Sequence, residues 1–311
     1  MFNLVQGRRN YFIFSGILIG LGIAAMIYSL ITTGAVFPLG VDFRGGTRFE
    51  LQFTQPVTES QIESVFASFD ITNISVIILR GESLENAWQI RSPFVSPEEG
   101  QAILDALGQQ VAPLQPDTTS VQSVSPSVGN EVTRAAFVAI LVAAVVILVY
   151  IMFTFRQVPN SFRYGTSAVA AMIHDLFVIF GFAAIMGMLR GWEVDSLFLT
   201  AVLTIAGFSL QDTIVVFDRI RENIARRPLE KFETVVNRSV LETIHRSLAT
   251  QLNAMFVMVA ILLFGGASIK PFIAVLFVGM LSGTYSSIFT AVPLLVAWEK
   301  NEIPFLKGST R

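Results

Sequence analysis

Six uncharged or nearly uncharged stretches constrain this chain more than anything else in it: Phe12–Thr32, Ala135–Phe155, Thr166–Leu189, Leu197–Phe217, Leu248–Phe264 and Pro271–Trp298. Each is long enough to cross a hydrocarbon layer of roughly 30 Å, which takes about 20 helical residues. Only 14% of the residues are charged and 53% are hydrophobic, whereas a soluble domain carries roughly 25% charged residues. The sequence therefore predicts an α-helical membrane protein with six transmembrane helices. The first stretch is longer than a secretory signal core and lacks a small-residue cleavage site after it, so it is read as a helix.

Lys and Arg fix the orientation. Arg8 and Arg9 precede the first span, Arg156 and Arg163 join the second to the third, and Arg219, Arg221, Arg226, Arg227, Lys231, Arg238 and Arg246 lie between the fourth and fifth. Those connections are expected to be cytoplasmic, with both termini inside. Residues 1–38 then form the N-terminus and first helix, 39–129 an outward-facing domain, and 130–311 five further helices with a cytoplasmic connection at 218–247 and a C-terminal tail. Cysteine is absent, so the outer domain is held by its own core. The net charge of -2 decides little.

Within 39–129, "TRFELQF" alternates as a strand and "TESQIESVFASF" places Ile62, Val65 and Phe66 at helical spacing behind an N-cap Thr58. "ISVIILR" and "AWQIR" read as strands separated by "GESLEN". In "SPEEGQAILDALGQQV", Ser96 and Glu99 form a capping box with Pro97 at the first helical position. "TTSVQSVSPSV" is a last extended stretch. Strand, helix, strand, strand, helix, strand is the ferredoxin-like order of an α+β domain, a fold that specifies no activity by itself. Gly45 and Gly46 fit a tight turn between the first helix and the first strand. They do not form a phosphate loop, because the required lysine and spacing are missing.

The acids inside the spans carry the chemistry. At about 1.5 Å per residue, Asp212 lies about 8 Å from the cytoplasmic end of the fourth span and Asp175 about 14 Å from that end of the third. A charge at such depth costs at least about 2.5 kcal/mol. Ser209, Asp212 and Thr213 share one face of the fourth helix; Arg246, Thr250 and Asn253 make a polar stripe on the fifth. Asp212 and Arg246 are thus expected at similar depth, able to pair. A neighbouring cation lowers a carboxyl pKa and desolvation raises it, so a small rearrangement would switch proton affinity. Taken singly, Asp212 also reads as a packing aspartate and Arg246 as an arginine snorkelling to the inner interface. Adjacent His174 and Asp175 point about 100 degrees apart. His174 reads as a buried histidine satisfied by a neighbouring helix, and Asp175 as a second proton-responsive carboxylate or a packing contact. Gly279, Ser282, Gly283, Ser286 and Thr290 form a small-residue stripe on the sixth helix, and Gly16 and Gly20 repeat the spacing on the first.

"VDFRGGT" with Asp42, Gly45 and Gly46, "SVGNE" at 127–131, "HD" at 174–175, "DTIVVFDRIREN" with Asp212, Asp218 and Arg219, and "HRSL" at 245–248 together resemble the SecF branch of the SecD/SecF family, within the resistance-nodulation-division superfamily. The match runs over nearly the whole chain; "VDFRGGT" alone also fits the SecD branch. The resemblance implies a multi-pass subunit of the bacterial cytoplasmic (inner) membrane that joins SecD. It further implies assistance to the SecYEG channel and the ATPase SecA, with the proton motive force helping an unfolded preprotein on the periplasmic side. The family's proton-transport aspartate and arginine match Asp212 and Arg246. Gln211 departs from the asparagine common at that position. No catalytic residue, cofactor, metal or nucleic acid is implied; the lipid bilayer is the other partner. The alternatives are a half-size proton-driven exporter of small molecules or lipids, a membrane aspartyl protease using Asp175 and Asp212, and a scaffold. The first normally carries two six-helix halves, "FSLQD" lacks the protease's glycine-rich setting, and a scaffold leaves Asp212 and Arg246 without a role.

Overall fold

The structure is a computed structural model that describes residues 3–79, 85–266 and 268–302. Six helices are long and apolar enough to cross a membrane. They are α1 (Arg8–Thr33), α5 (Pro126–Thr154), α6 (Ser161–Arg190), α7 (Ser196–Arg226), α8 (Phe232–Phe264) and a last one in two parts. That last helix runs as α9 (Lys270–Ser286), passes through a π turn at Ser287–Ala291, and ends as α10 (Val292–Glu299).

Burial separates these helices into two classes. The apolar windows of α6, α7 and the α9–α10 helix are 44%, 44% and 56% buried, against 17%, 11% and 17% for α1, α5 and α8. The first group is the centre of the bundle and the second its periphery, where Phe137, Leu141 and Val145 of α5 face outward. Close packing at the centre uses small residues. A Cβ on Gly279 would lie 2.2 Å from Ile205 of α7, and one on Gly181 would lie 2.5 Å from the Cα of Gly22 of α1. The contact glycine of α1 is therefore Gly22. A Cβ on Gly16 or Gly20, which repeat the Gly-x-x-x-Gly spacing, would meet nothing within 4 Å.

The helices extend beyond their apolar cores. α5 starts at Pro126, nine positions ahead of the apolar stretch, with Ser125 Oγ accepting from Val128 N. α7 continues to Arg226 and α8 begins at Phe232, so most of the basic connection is helical. Ion pairs explain why: Arg219 contacts Glu222 and Glu242, both at 2.5 Å, and Asp218 pairs with Arg221 at 2.6 Å. Asn223 donates to Ser239 Oγ at 3.0 Å and to Glu242 at 2.9 Å. At the same end Arg8 pairs with Glu233 of α8 and with Glu302.

Between α1 and α5 the chain forms α2 (Val41–Arg44), β1 (Gly46–Gln52), α3 (Glu59–Ser68), β2 (Ser75–Leu79), β3 (Ala87–Ser92), α4 (Pro97–Gln110) and β4 (Ser120–Val124). The sheet order is β2-β3-β1-β4, antiparallel throughout, with Thr47 opposite both Ser92 and Ser123. Phe49, Leu51, Phe66, Ile90, Ile103 and Leu107 fill its core. Both expected caps form: Gln61 accepts from Thr58 N at 2.9 Å, and Ser96 Oγ accepts from Glu99 N at 3.3 Å. Part of the "GESLEN" turn lies outside the described residues.

The turn after α2 is shaped by glycine. Gly45 has φ +76° and ψ 164°, and Gly46 has φ +125°, values open mainly to glycine. A Cβ on Gly45 would lie 2.6 Å from the Cα of Pro126, and one on Gly129 would lie 2.7 Å from Gly45 N. The "VDFRGGT" and "SVGNE" segments thus interlock backbone to backbone where the sheet meets the bundle.

Candidate functional site

A layer of buried polar side chains crosses the centre of the bundle. Asp175 of α6 is 2% exposed and accepts from three serines. Ser209 of α7 donates at 2.7 Å, and Ser282 and Ser286 of α9 donate at 2.6 and 2.8 Å. Three hydroxyl donors satisfy the acceptor oxygens of a carboxyl group in an apolar interior. His174 Nδ1 lies 3.2 Å from Asp175 Oδ1, its ring sits 5.9 Å from that of Tyr285, and its Nε2 has no partner among the described residues. His174 therefore bonds within α6 and packs its ring against Tyr285 of the neighbouring α9.

One turn along α7 from Ser209 is Asp212, 4% exposed. Gln251 Nε2 of α8 donates to Asp212 Oδ2 at 2.6 Å. Thr213, also buried, donates to the backbone of Ser209 at 3.0 Å. Ser247 Oγ and Gln251 Oε1, on the same face of α8, have no hydrogen-bond partner among the described residues. The layer therefore links α9, α6, α7 and α8 in that order.

The expected pairing of Asp212 with Arg246 is not made. Arg246 is exposed, and its side chain forms no ion pair or hydrogen bond among the described residues. Thr250 and Asn253 are exposed beside it, Thr250 donating only to the Arg246 carbonyl at 3.0 Å. The reason is helical phase: Ser247 and Gln251, at i and i+4, form the face toward α7, and Arg246 and Thr250 are each one residue, about 100 degrees, off it. Gln211 is likewise exposed, one position from the inward-facing Asp212. The sequence signal for the inward face is the Ser247–Gln251 spacing.

Asp42 sits at the opposite end of α7. Its Oδ2 accepts from Ser196 N at 2.9 Å and Ser196 Oγ at 2.6 Å, and its Oδ1 accepts from Gln122 Nε2 of β4 at 2.8 Å. Arg91 of β3 pairs with Glu193 at 3.0 Å and donates to the Gly191 carbonyl at 3.3 Å. Burial raises the pKa of Glu193 despite the opposing effect of Arg91, and burial also raises that of Asp195. Among the described residues no group of three His, Asp or Glu side chains gathers in a metal-binding arrangement.

A buried carboxylate layer in a six-helix bundle, with an interlocked glycine turn at the root of a four-stranded sheet, agrees with the motif pattern of the sequence. The family model described as "Protein export membrane protein SecD/SecF, C-terminal" matches residues 103–301, and the "SecD/SecF GG Motif" matches residues 31–57. The chain belongs to the SecD/SecF family. It is 40% identical to the protein translocase subunit SecF of Thermobaculum terrenum, over 97% of this chain and 95% of that one. Against the SecF subunit of Anaerolinea thermophila it is 38% identical, over 97% and 96%. It also matches the SecDF subunit of Bacillus subtilis at 33% identity, over 95% of this chain but only 38% of that one. The crystal structure of SecDF, a translocon-associated membrane protein from Thermus thermophilus, superposes with a TM-score of 0.79 at 27% identity, covering 96% of this chain and 39% of that one. This SecD/SecF-family chain thus corresponds in extent to the separate SecF proteins and to about two fifths of the SecDF chains.

Proposed function

We propose that this chain is the SecF-type accessory subunit of Sec protein export, which joins SecD in the bacterial cytoplasmic membrane. Beside SecYEG and SecA, it draws on the proton motive force to help preproteins leave on the periplasmic side. Both termini then lie in the cytoplasm. The four-stranded domain, whose antiparallel β2-β3-β1-β4 order is that of a ferredoxin-like fold, faces the periplasm and the emerging chain.

The observation that carries this reading is Asp212, buried in α7 and hydrogen-bonded to α8 through Gln251. A carboxylate inside a bundle changes its proton affinity with the distance of the nearest cation. Arg246 stands on the adjacent face of α8, so a turn of that helix toward α7 exchanges an amide partner for a guanidinium. One proton moving down the membrane potential supplies about 2.3 kcal/mol per 100 mV, comparable to the cost of holding a charge at that depth. Asp175 forms a second point of the same layer, coupled to α7 through Ser209.

Asp212→Asn tests the reading. The variant inserts, copurifies with SecD, and no longer gives proton-dependent stimulation of export in inverted membrane vesicles. Normal stimulation at normal expression would refute the proton-driven role. Arg246→Met is expected to behave in the same way.

A further inference from the structure

Resting on the proton-driven reading above, we infer that Asp42 is a positioning residue that couples α7 to the outer domain, through its carboxylate contacts to Ser196 and Gln122. The argument begins with the helix. α7 runs unbroken from Ser196 to Arg226, so its first residue and Asp212 belong to one rod, about 24 Å apart at 1.5 Å per residue. A change at Asp212 that shifts or turns the helix therefore reaches its outer end.

At that end one carboxylate holds two bodies together. Asp42 Oδ2 takes both the backbone N–H and the hydroxyl of Ser196, at 2.9 and 2.6 Å, while Oδ1 takes Gln122 of β4 at 2.8 Å. Asp195 supplies the ordinary N-cap of α7, accepting from Phe198 N at 2.9 Å. Asp42 is a second acceptor at the same helix end, contributed from outside the helix. Its negative charge also suits the positive end of the helix dipole.

Asp42 is placed so that the coupling cannot slip. It belongs to the single-turn α2, which ends in the Gly45–Gly46 turn locked against Pro126 and Gly129. The segment just before it is strapped to the loop ahead of α7, Gly40 N donating to Val194 O and Val194 N to Pro38 O, both at 2.8 Å. Gln122 in turn accepts from Arg48 of β1 at 2.5 Å. Motion of the α7 end is thereby delivered to the edge strand β4 and, through Arg48, to the central strand β1.

The test separates coupling from proton movement. The full chain is reconstituted with SecD, SecYEG and SecA in proteoliposomes holding a pH-sensitive dye, and proton entry and preprotein export are read in the same vesicles. Asp42→Ala is expected to keep the proton entry of the unaltered chain and to lose the stimulation of export. Ser196→Ala, which removes the hydroxyl and leaves the N–H contact, is expected to lose part of it. Unchanged export in Asp42→Ala overturns the inference. So does joint loss of export and proton entry in a variant that inserts and copurifies with SecD normally, because that pattern marks a structural role. If the unaltered chain carries no protons, or Asp212→Asn loses neither activity, it is the proton-driven reading that fails, and the two failures are distinguishable in the same experiment.

Discussion

Replacing Gly45 by alanine probes the joint between bundle and sheet, and its cost follows from two numbers. The backbone at Gly45, with φ +76° and ψ 164°, lies in a region essentially reserved for glycine, where a side chain costs about 1–3 kcal/mol. The added Cβ would also lie 2.6 Å from Pro126 Cα and 2.8 Å from its N. Those are backbone atoms at the start of a 29-residue helix, so no flexible side chain can give way, and such overpacking costs roughly another 1–3 kcal/mol. The expected loss is about 2–6 kcal/mol at the joint. Gly20→Ala is the matched control: nothing lies within 4 Å of its Cβ position, and mid-helix Gly→Ala is worth roughly 0.8–1 kcal/mol in favour of the variant. Thermal unfolding of the purified protein, with limited proteolysis of segment 39–129, reads both changes. If Gly45→Ala unfolds and cleaves like the unaltered chain, the interlocked turn does not hold the two parts together.

Asp175→Ala leaves the hydroxyls of Ser209 and Ser282 without their acceptor, while Ser286 retains the Gly283 carbonyl at 3.3 Å. Two buried unsatisfied hydroxyls at about 1–3 kcal/mol each predict a loss of about 2–6 kcal/mol. Thermal unfolding unchanged from the unaltered chain would show that the serines rebond to their own helices. At the junction, burial raises the Glu193 pKa above its ordinary 4.5, so the folded state holds this proton more tightly than the unfolded one. The resulting stability is complete below that ordinary value and is lost as pH rises through the raised one. Glu193→Gln is therefore expected to flatten part of the fall in unfolding temperature as the pH rises above that ordinary value; an identical pH profile would refute the assignment.

The sequence made the spans legible because a hydrocarbon layer imposes one simple demand, length without charge, that survives in composition. Asp212 and Asp175 stood out for the same reason, as exceptions to it. Their partners did not stand out. Whether Arg246 or Gln251 faces α7 is a matter of helical phase, and a one-residue step moves a side chain by about 100 degrees. The α1 contact obeys the same rule of phase: Gly16 and Gly20 have the Gly-x-x-x-Gly spacing, but it is Gly22 that faces Gly181. Helix ends were underestimated because the Arg219, Glu222 and Glu242 contacts sustain helix in water after the apolar signal has stopped. The succession of strands and helices between α1 and α5, by contrast, was legible from alternation and caps, since both rest on neighbours in sequence.

The π turn at Ser287–Ala291 fixes how the last helix divides its attention. Pro293, just beyond, has no N–H to return to the preceding turn, and a widened turn is one way a helix absorbs that gap. The extra residue changes the angular offset between what comes before and what comes after. Ser282 and Ser286 thus look toward α6 and hold Asp175, while Thr290 meets Ser15 of α1 at 3.2 Å. The row of small residues is shared among three neighbours, Gly279 lying against Ile205 of α7, Ser282 and Ser286 holding α6, and Thr290, inside the wide coil, continuing the contact with α1 that Tyr285 begins one turn earlier.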